Sequence, residues 1–286
     1  MHNRGYVLRR DIGRFILKRV MRIDPPYFAA AGLTLLFWYL SAWLPGFRGQ
    51  APSVTAGQVL AHVGYLNELL GLPWLGPVFW SLAIEFQFYL LIALLFPVVT
   101  SNSATIRLVG LAGVWCAAMI GAPAAWVVPY LGMFGCGMVV FERHRGAIGR
   151  PVFTVMLIAM AAATWRTQGF ANALVCVGTA VVILSGRGGS VIGSWLGAIS
   201  YSLYLVHVPV GGRVVNAGVR AAAYGIPPIV TLVAALIASL GAAVAFYRLI
   251  ERPAQDWAAS LKYRGRIAAP CPAGASPGIA LRAVEK

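Results

Sequence analysis

The sequence predicts an all-α fold, a polytopic transmembrane helix bundle of about eight spans, and three observations carry that expectation. Hydrophobic residues fill 59% and charged residues 11% of the 286 positions, with a mean hydropathy of +0.77. A soluble domain carries about 25% charged residues and would expose large sticky patches at this composition, whereas lipid accepts it as solvent. Apolar runs recur eight times near the roughly 17–25 residues that cross a hydrocarbon core as helix. Lys and Arg gather at the ends of those runs in a one-sided pattern.

Taken in order, residues 1–25 form a basic, partly amphipathic, cytoplasmic N-terminal segment, with Ile12, Phe15, Ile16 and Val20 at helical spacing. Two readings stay open for it: a cytoplasmic surface helix that only sets topology, or a stretch that also holds an anionic ligand. The expected spans are 26–44, 78–99, 106–122, 125–141, 152–166, 170–186, 193–212 and 228–248, inside a membrane domain covering 26–254. A Pro- and Gly-rich connection at 45–77 is expected to hold a short helix around 56–70. The third and fourth runs, separated by Gly-Ala-Pro at 121–123, read as one tight hairpin. Residues 255–286 read as a cytoplasmic tail, disordered over its Ala-, Pro- and Gly-rich end from 265.

Threading these runs across a bilayer places nineteen Lys and Arg on one side and four on the other. The basic side is the cytoplasmic one, so both termini are expected there. The same distribution accounts for the net charge of +15 without nucleic acid as a partner. Cys116, Cys136, Cys176 and Cys271 show no metal-ligand spacing and read as small hydrophobes; no metal site is expected.

Two residues stand out chemically. Of eight acidic residues, seven are assigned to tails or loops and Glu85 alone to a span, in FWSLAIEFQFYLLIALLF. A charge at that depth costs about 2.5–3.5 kcal/mol, so it needs a partner, water or a function. Ser81, Glu85, Phe88 and Tyr89 share its helical face. His207 is the one histidine assigned to a span, with Ser200 and Tyr204 on its face. Its imidazole reads either as a general base or as a packed, hydrogen-bonded side chain. Counted from the expected helix ends at about 1.5 Å per residue, Glu85 and His207 lie about 10 Å and 8 Å below the outer surface, close enough in depth to line one cavity.

These stretches carry a resemblance. RFILKRVMRIDPPYF (14–28) is similar to the basic stretch of the acyltransferase-3 family, with Asp24 where the family's Arg-Ile-Tyr-Pro has Tyr. FWSLAIEFQFYLL (79–91) resembles its Trp-Ser-Leu-x-x-Glu-x-x-Phe-Tyr signature at Trp80, Ser81, Leu82, Glu85, Phe88 and Tyr89. LGAISYSLYLVHVPV (196–210) resembles its Gly-x-x-Ser-Tyr-x-x-Tyr-Leu-x-His run, and IERPA (250–254) its Glu-Arg-Pro close. The resemblance implies a bundle of about ten helices in a bacterial inner membrane. It implies transfer of an acyl group, often acetyl, from cytoplasmic acyl-CoA to a hydroxyl of a sugar, polysaccharide or glycolipid, with no tightly bound cofactor. On it, Glu85 and His207 are the expected catalytic pair, Arg19 and Arg22 the contacts for CoA phosphates, and Ser81, Tyr89, Ser200 and Tyr204 the acceptor contacts. The family's first-helix histidine precedes its basic stretch, so this chain is expected to lack about two helices and to be inactive if truncated. The competing reading is a proton-coupled transporter or flippase, which an intramembrane Glu and His also suit; the two similar halves usual in transporters are not visible.

Overall fold

A computed structural model describes residues 8–44, 49–50, 52–186, 190–221 and 224–261. The expected tail at 265–286 lies outside them. Among the described residues the regular secondary structure is all helical, without strands. In chain order the α-helices are α1 (Leu8–Ala42), α2 (Ala56–Val63), α3 (Phe79–Val99), α4 (Ala104–Ala118), α5 (Leu131–His144), α6 (Arg150–Gln168), α7 (Phe170–Ser185), α8 (Val191–Val206), α9 (Gly212–Ala221), α10 (Pro228–Phe246) and α11 (Arg252–Ser260).

Among the described residues, three stretches are long and apolar enough to cross a membrane: Phe79–Val99, Val191–Arg220 and Pro228–Ser260. Helices α4 and α7 are apolar but shorter, at 15 and 16 residues. The eight-span reading is therefore borne out for the helical class and for three long spans, while a count of eight is not shown. The runs were counted by hydropathy, while helix ends are set by capping. Ser103 Oγ accepts from the Ile106 N–H and starts α4, two residues before the expected run, and α4 ends at Ala118, well before Pro123. The chain then crosses to a 3₁₀ turn at Val128–Tyr130.

Helix α1 joins what the sequence divides. The basic stretch and the first apolar run form one 35-residue helix through Pro25 and Pro26, about 52 Å long at the usual rise. The Tyr27 ring meets Phe79 edge-on at 5.1 Å, and Arg19 sits 4.6 Å from the centre of the Tyr89 ring. The two helices are therefore antiparallel. The basic half of α1 runs alongside α3 and the apolar half projects past its start, so the basic half is not a separate surface helix. The connection folds back to brace it: the Tyr65 hydroxyl donates to Asp24 at 2.8 Å, and the His62 imidazole meets the Tyr27 hydroxyl at 2.5 Å.

Two packed regions result. One joins α1, α3, α8 and α10 around Tyr27, Phe79, Ile199, Leu205 and Phe246. The other joins α4, α5, α6 and α7 around Leu111, Val139, Leu157 and Met160. In the second, Gly132 lets α5 approach α6 so closely that a Cβ there would stand 2.8 Å from the Thr164 backbone nitrogen, the small-residue contact usual between membrane helices. Near the chain's other end, α11 packs along α1.

Candidate active site

The four stretches that carry the resemblance converge. In α3, Ser81 and Tyr204 of α8 share a hydroxyl–hydroxyl hydrogen bond, and the Tyr204 hydroxyl also reaches the Val78 carbonyl at 2.9 Å. One turn further along α3, the Tyr89 hydroxyl donates to the Glu85 carboxylate. The guanidinium of Arg19 from α1 lies over the face of that same Tyr89 ring and beside Phe15, a cation–π contact. Arg22, one turn on, is exposed and within electrostatic reach of the Tyr89 phenol. Tyr201 of α8 donates to the Ile23 carbonyl at 3.0 Å and feels the Glu85, Glu251 and Asp24 carboxyls.

The last stretch fastens α8. A π-helical turn at Tyr247–Glu251 places Glu251, 2% exposed, against α8. Its carboxylate accepts the Ser202 N–H at 3.1 Å, the Ser202 hydroxyl at 2.5 Å and the Gln255 amide at 2.8 Å. Glu142 is a second buried acid, at the end of α5, with Arg107 at 2.9 Å and Arg145 at 3.1 Å. Glu85 is thus not the one acid inside a helix of the bundle. The apolar runs left Glu142 and Glu251 in the loop and tail beyond them, and Arg107 and Ser202 lie 35 and 49 residues away in sequence, beyond any local pattern.

The expected common depth of Glu85 and His207 is not found. On antiparallel helices, Glu85 lies one turn to one side of the Ser81–Tyr204 bridge and His207 nearly one turn to the other. The helical rise sets them about 10 Å apart along the bundle axis. The expectation counted His207 from a helix end near residue 212. Instead, a π-helical turn at His207–Gly211 carries the helix on through α9 to Ala221. His207 is exposed, and its Nδ1 lies 3.0 Å from the Leu203 carbonyl and 2.9 Å from that of Tyr204. Carbonyls only accept, so Nδ1 carries the proton and the neutral ring keeps its lone pair on Nε2. Ser200 does not join the cluster: it is exposed and donates to the Gly197 carbonyl of its own helix at 2.9 Å.

Sequence reading also passed over His62, which falls in the short helix expected around 56–70 and is 2% exposed in α2. Its Nε2 accepts the Leu75 N–H at 3.2 Å, so Nδ1–H faces Tyr27. Burial pushes this imidazole down to about 4. Burial, with the Asp24 carboxyl beside it, pushes the Tyr65 phenol well up.

Fold and site together define a membrane-type helical protein whose polar side chains, drawn from both ends of the chain, meet inside the bundle. The chain belongs to the acyltransferase-3 family: the family profile described as an acyltransferase domain matches residues 4–248. That membership supports a membrane acyltransferase in general terms. No curated relative and no solved structure matches the chain.

Proposed function

We propose that the protein transfers an acyl group, acetyl in the first instance, from cytoplasmic acyl-CoA to a hydroxyl of a carbohydrate or glycolipid, in a bacterial inner membrane that it crosses eight times with both termini inside. One observation carries the reading: the basic stretch meets the Glu85–Tyr89 pair through the Arg19–Tyr89 contact, while Ser81 of the same helix meets Tyr204, a turn from His207. Arg19 and Arg22 hold the donor phosphates by charge-assisted hydrogen bonds. Glu85, fixed by Tyr89, faces the donor side. His207 Nε2 takes the proton from the acceptor hydroxyl as its oxygen attacks the thioester carbonyl. The carbon–sulfur bond then breaks, and the leaving thiolate recovers that proton from the imidazolium. Ser81, Tyr89 and Tyr204 orient the reactants.

The test is transfer of radiolabelled acetyl from acetyl-CoA to carbohydrate acceptors in membranes containing the protein. Glu85→Gln and His207→Gln are each expected to lower the rate by about 10²–10⁴-fold while leaving yield and melting temperature near those of the unaltered protein. Lower yield with unchanged specific activity would make either residue structural. Full activity in both variants would sink the mechanism, and proton-coupled substrate uptake without transfer would favour the transporter reading.

A further inference from the structure

Two adjoining cavities flank the Ser81 end of α3. A cleft of about 520 Å³ runs between α3, α5 and α7, within the usual range of ligand sites. Its two ends differ chemically. Ser81, Tyr130, Gln168 and Asn172 line the end near the start of α3, whereas Phe134, Val140, Val175 and Ile183 line the rest. From Asn172 to Ile183 the cleft follows α7 for about 16 Å at the helical rise. Its outer lip is open, with Val175 63% and Ile183 52% exposed. The second cavity, about 280 Å³, is bounded by Tyr65, Trp74, Trp80, Tyr130 and Glu68. The two share Trp80, Ile84 and Tyr130 as a common wall.

We infer that these cavities form one bipartite site for a neutral glycolipid: the sugar sits in the aromatic cavity and its alkyl chain lies in the cleft. The inference rests on the proposed acyl transfer and narrows its acceptor to one carrying a chain. Indole and phenol faces suit the apolar faces of a sugar ring. Glu68, already accepting the Trp74 indole N–H at 3.0 Å, has a second oxygen for sugar hydroxyls. Among the described residues lining either cavity, none is basic. CoA phosphates therefore find no counter-charge there, and the donor belongs instead with Arg19 on the α1 face of α3. The open lip admits a chain sideways from lipid, and the amide and hydroxyl groups at the Ser81 end stop the head from following it.

Gly137 makes the site testable. It lines the cleft, and a Cβ added to it meets nothing within 4 Å. Gly178 on α7 is equally unobstructed but does not line the cleft. The experiment places the protein in phosphatidylcholine nanodiscs with an alkyl maltoside carrying a mid-chain diazirine. After irradiation, labelled peptides are mapped by mass spectrometry. Labels are expected on the segments 133–140 and 175–183, displaced by dodecyl maltoside but not by maltose or dodecanoate. Gly137→Leu, with Thr179→Phe as a second block should it fold poorly, is expected to cut this labelling at least ten-fold. Gly178→Leu leaves it unchanged, and Glu68→Gln weakens displacement by the maltoside. Labelling that survives both blocks, that dodecanoate displaces equally, or that falls elsewhere overturns the inference. Labelling without any acyl transfer leaves this site standing and removes the enzyme reading. Transfer to soluble sugars without labelling does the reverse.

Discussion

Glu251 offers the sharpest energetic test. It is buried, and its partners among the described residues are three neutral donors: the Ser202 N–H, the Ser202 hydroxyl and the Gln255 amide. Replacing it by Leu removes only one side of each bond. The half-buried Gln255 turns outward, and the Ser202 hydroxyl rotates to the Ala198 carbonyl, one turn back in its own helix. The Ser202 N–H falls back on the helix ladder, and losing the charge-assisted bonds from Ser202 to the carboxylate costs about 1.5–3 kcal/mol. With the lost bond to Gln255, the sum is about 3 kcal/mol. Replacing Glu251 by Gln costs less, because its carbonyl oxygen serves Ser202 while Gln255 flips its amide to accept. What remains is the loss of charge assistance, about 1 kcal/mol. At roughly 2–4 °C per kcal/mol for a chain somewhat smaller than this one, Glu251→Leu is expected to melt about 6–12 °C lower and Glu251→Gln about 2–4 °C lower. Scanning fluorimetry in one detergent reads both. Adding Ser202→Ala to Glu251→Leu should change little, since that hydroxyl has already lost the carboxylate and its bond back to the Ala198 carbonyl stabilises the helix little. Equal effects of Leu and Gln, or full additivity of Ser202→Ala, would refute the clasp.

The remaining predictions concern pH, the donor and the topology. His62 keeps a folded value of about 4, below its ordinary 6.5. Its contribution to stability is therefore complete above pH 6.5 and shrinks as pH falls toward 4, because only the unfolded chain takes up the proton there. His62→Gln, which replaces both hydrogen bonds without titrating, should flatten the melting temperature between pH 6.5 and 4; an unchanged slope would mean other groups set it. Arg19→Gln and Arg22→Gln should each weaken acyl-CoA binding about ten-fold or more, the worth of a charge-assisted bond, as read by calorimetry; equal affinity would leave the stretch a topology signal only. Reporter fusions after Trp74 and after Arg220 should give outer-side signals, and cytoplasmic signals at both would reject the eight-crossing topology.

Much of the bundle was legible because apolar runs and helices coincide where packing and lipid agree. The run expected at 78–99 is α3 almost to the residue, and 170–186 is α7. The extension of α8 was missed because Arg213, Asn216 and Arg220 end the apolar run. Their three- and four-residue spacing is itself a helical signal, the polar face of α9. The Ser81, Glu85, Tyr89 and Tyr204 cluster was legible as motif spacing on two helices. The Glu251–Ser202 clasp, the His62 bond to Tyr27 and the offset of α1 against α3 were not. Each depends on which helices become neighbours, and a single chain's periodicity holds no term for that.

The packing of α11 along α1 has a consequence in time. These helices are the first and last of the described chain, and their starts lie about 240 residues apart. At the roughly 5–20 residues added per second during synthesis, α1 waits about 10–50 s in the membrane before α11 exists. For that interval the basic face of α1 lacks its final neighbour, and α8 lacks the carboxylate of Glu251. The Arg19–Tyr89 and Ser81–Tyr204 contacts can form earlier, but their frame closes only when the C-terminal turn arrives. A nascent chain halted before Glu251 would hold nearly all the side chains of the site without the carboxylate that clasps α8.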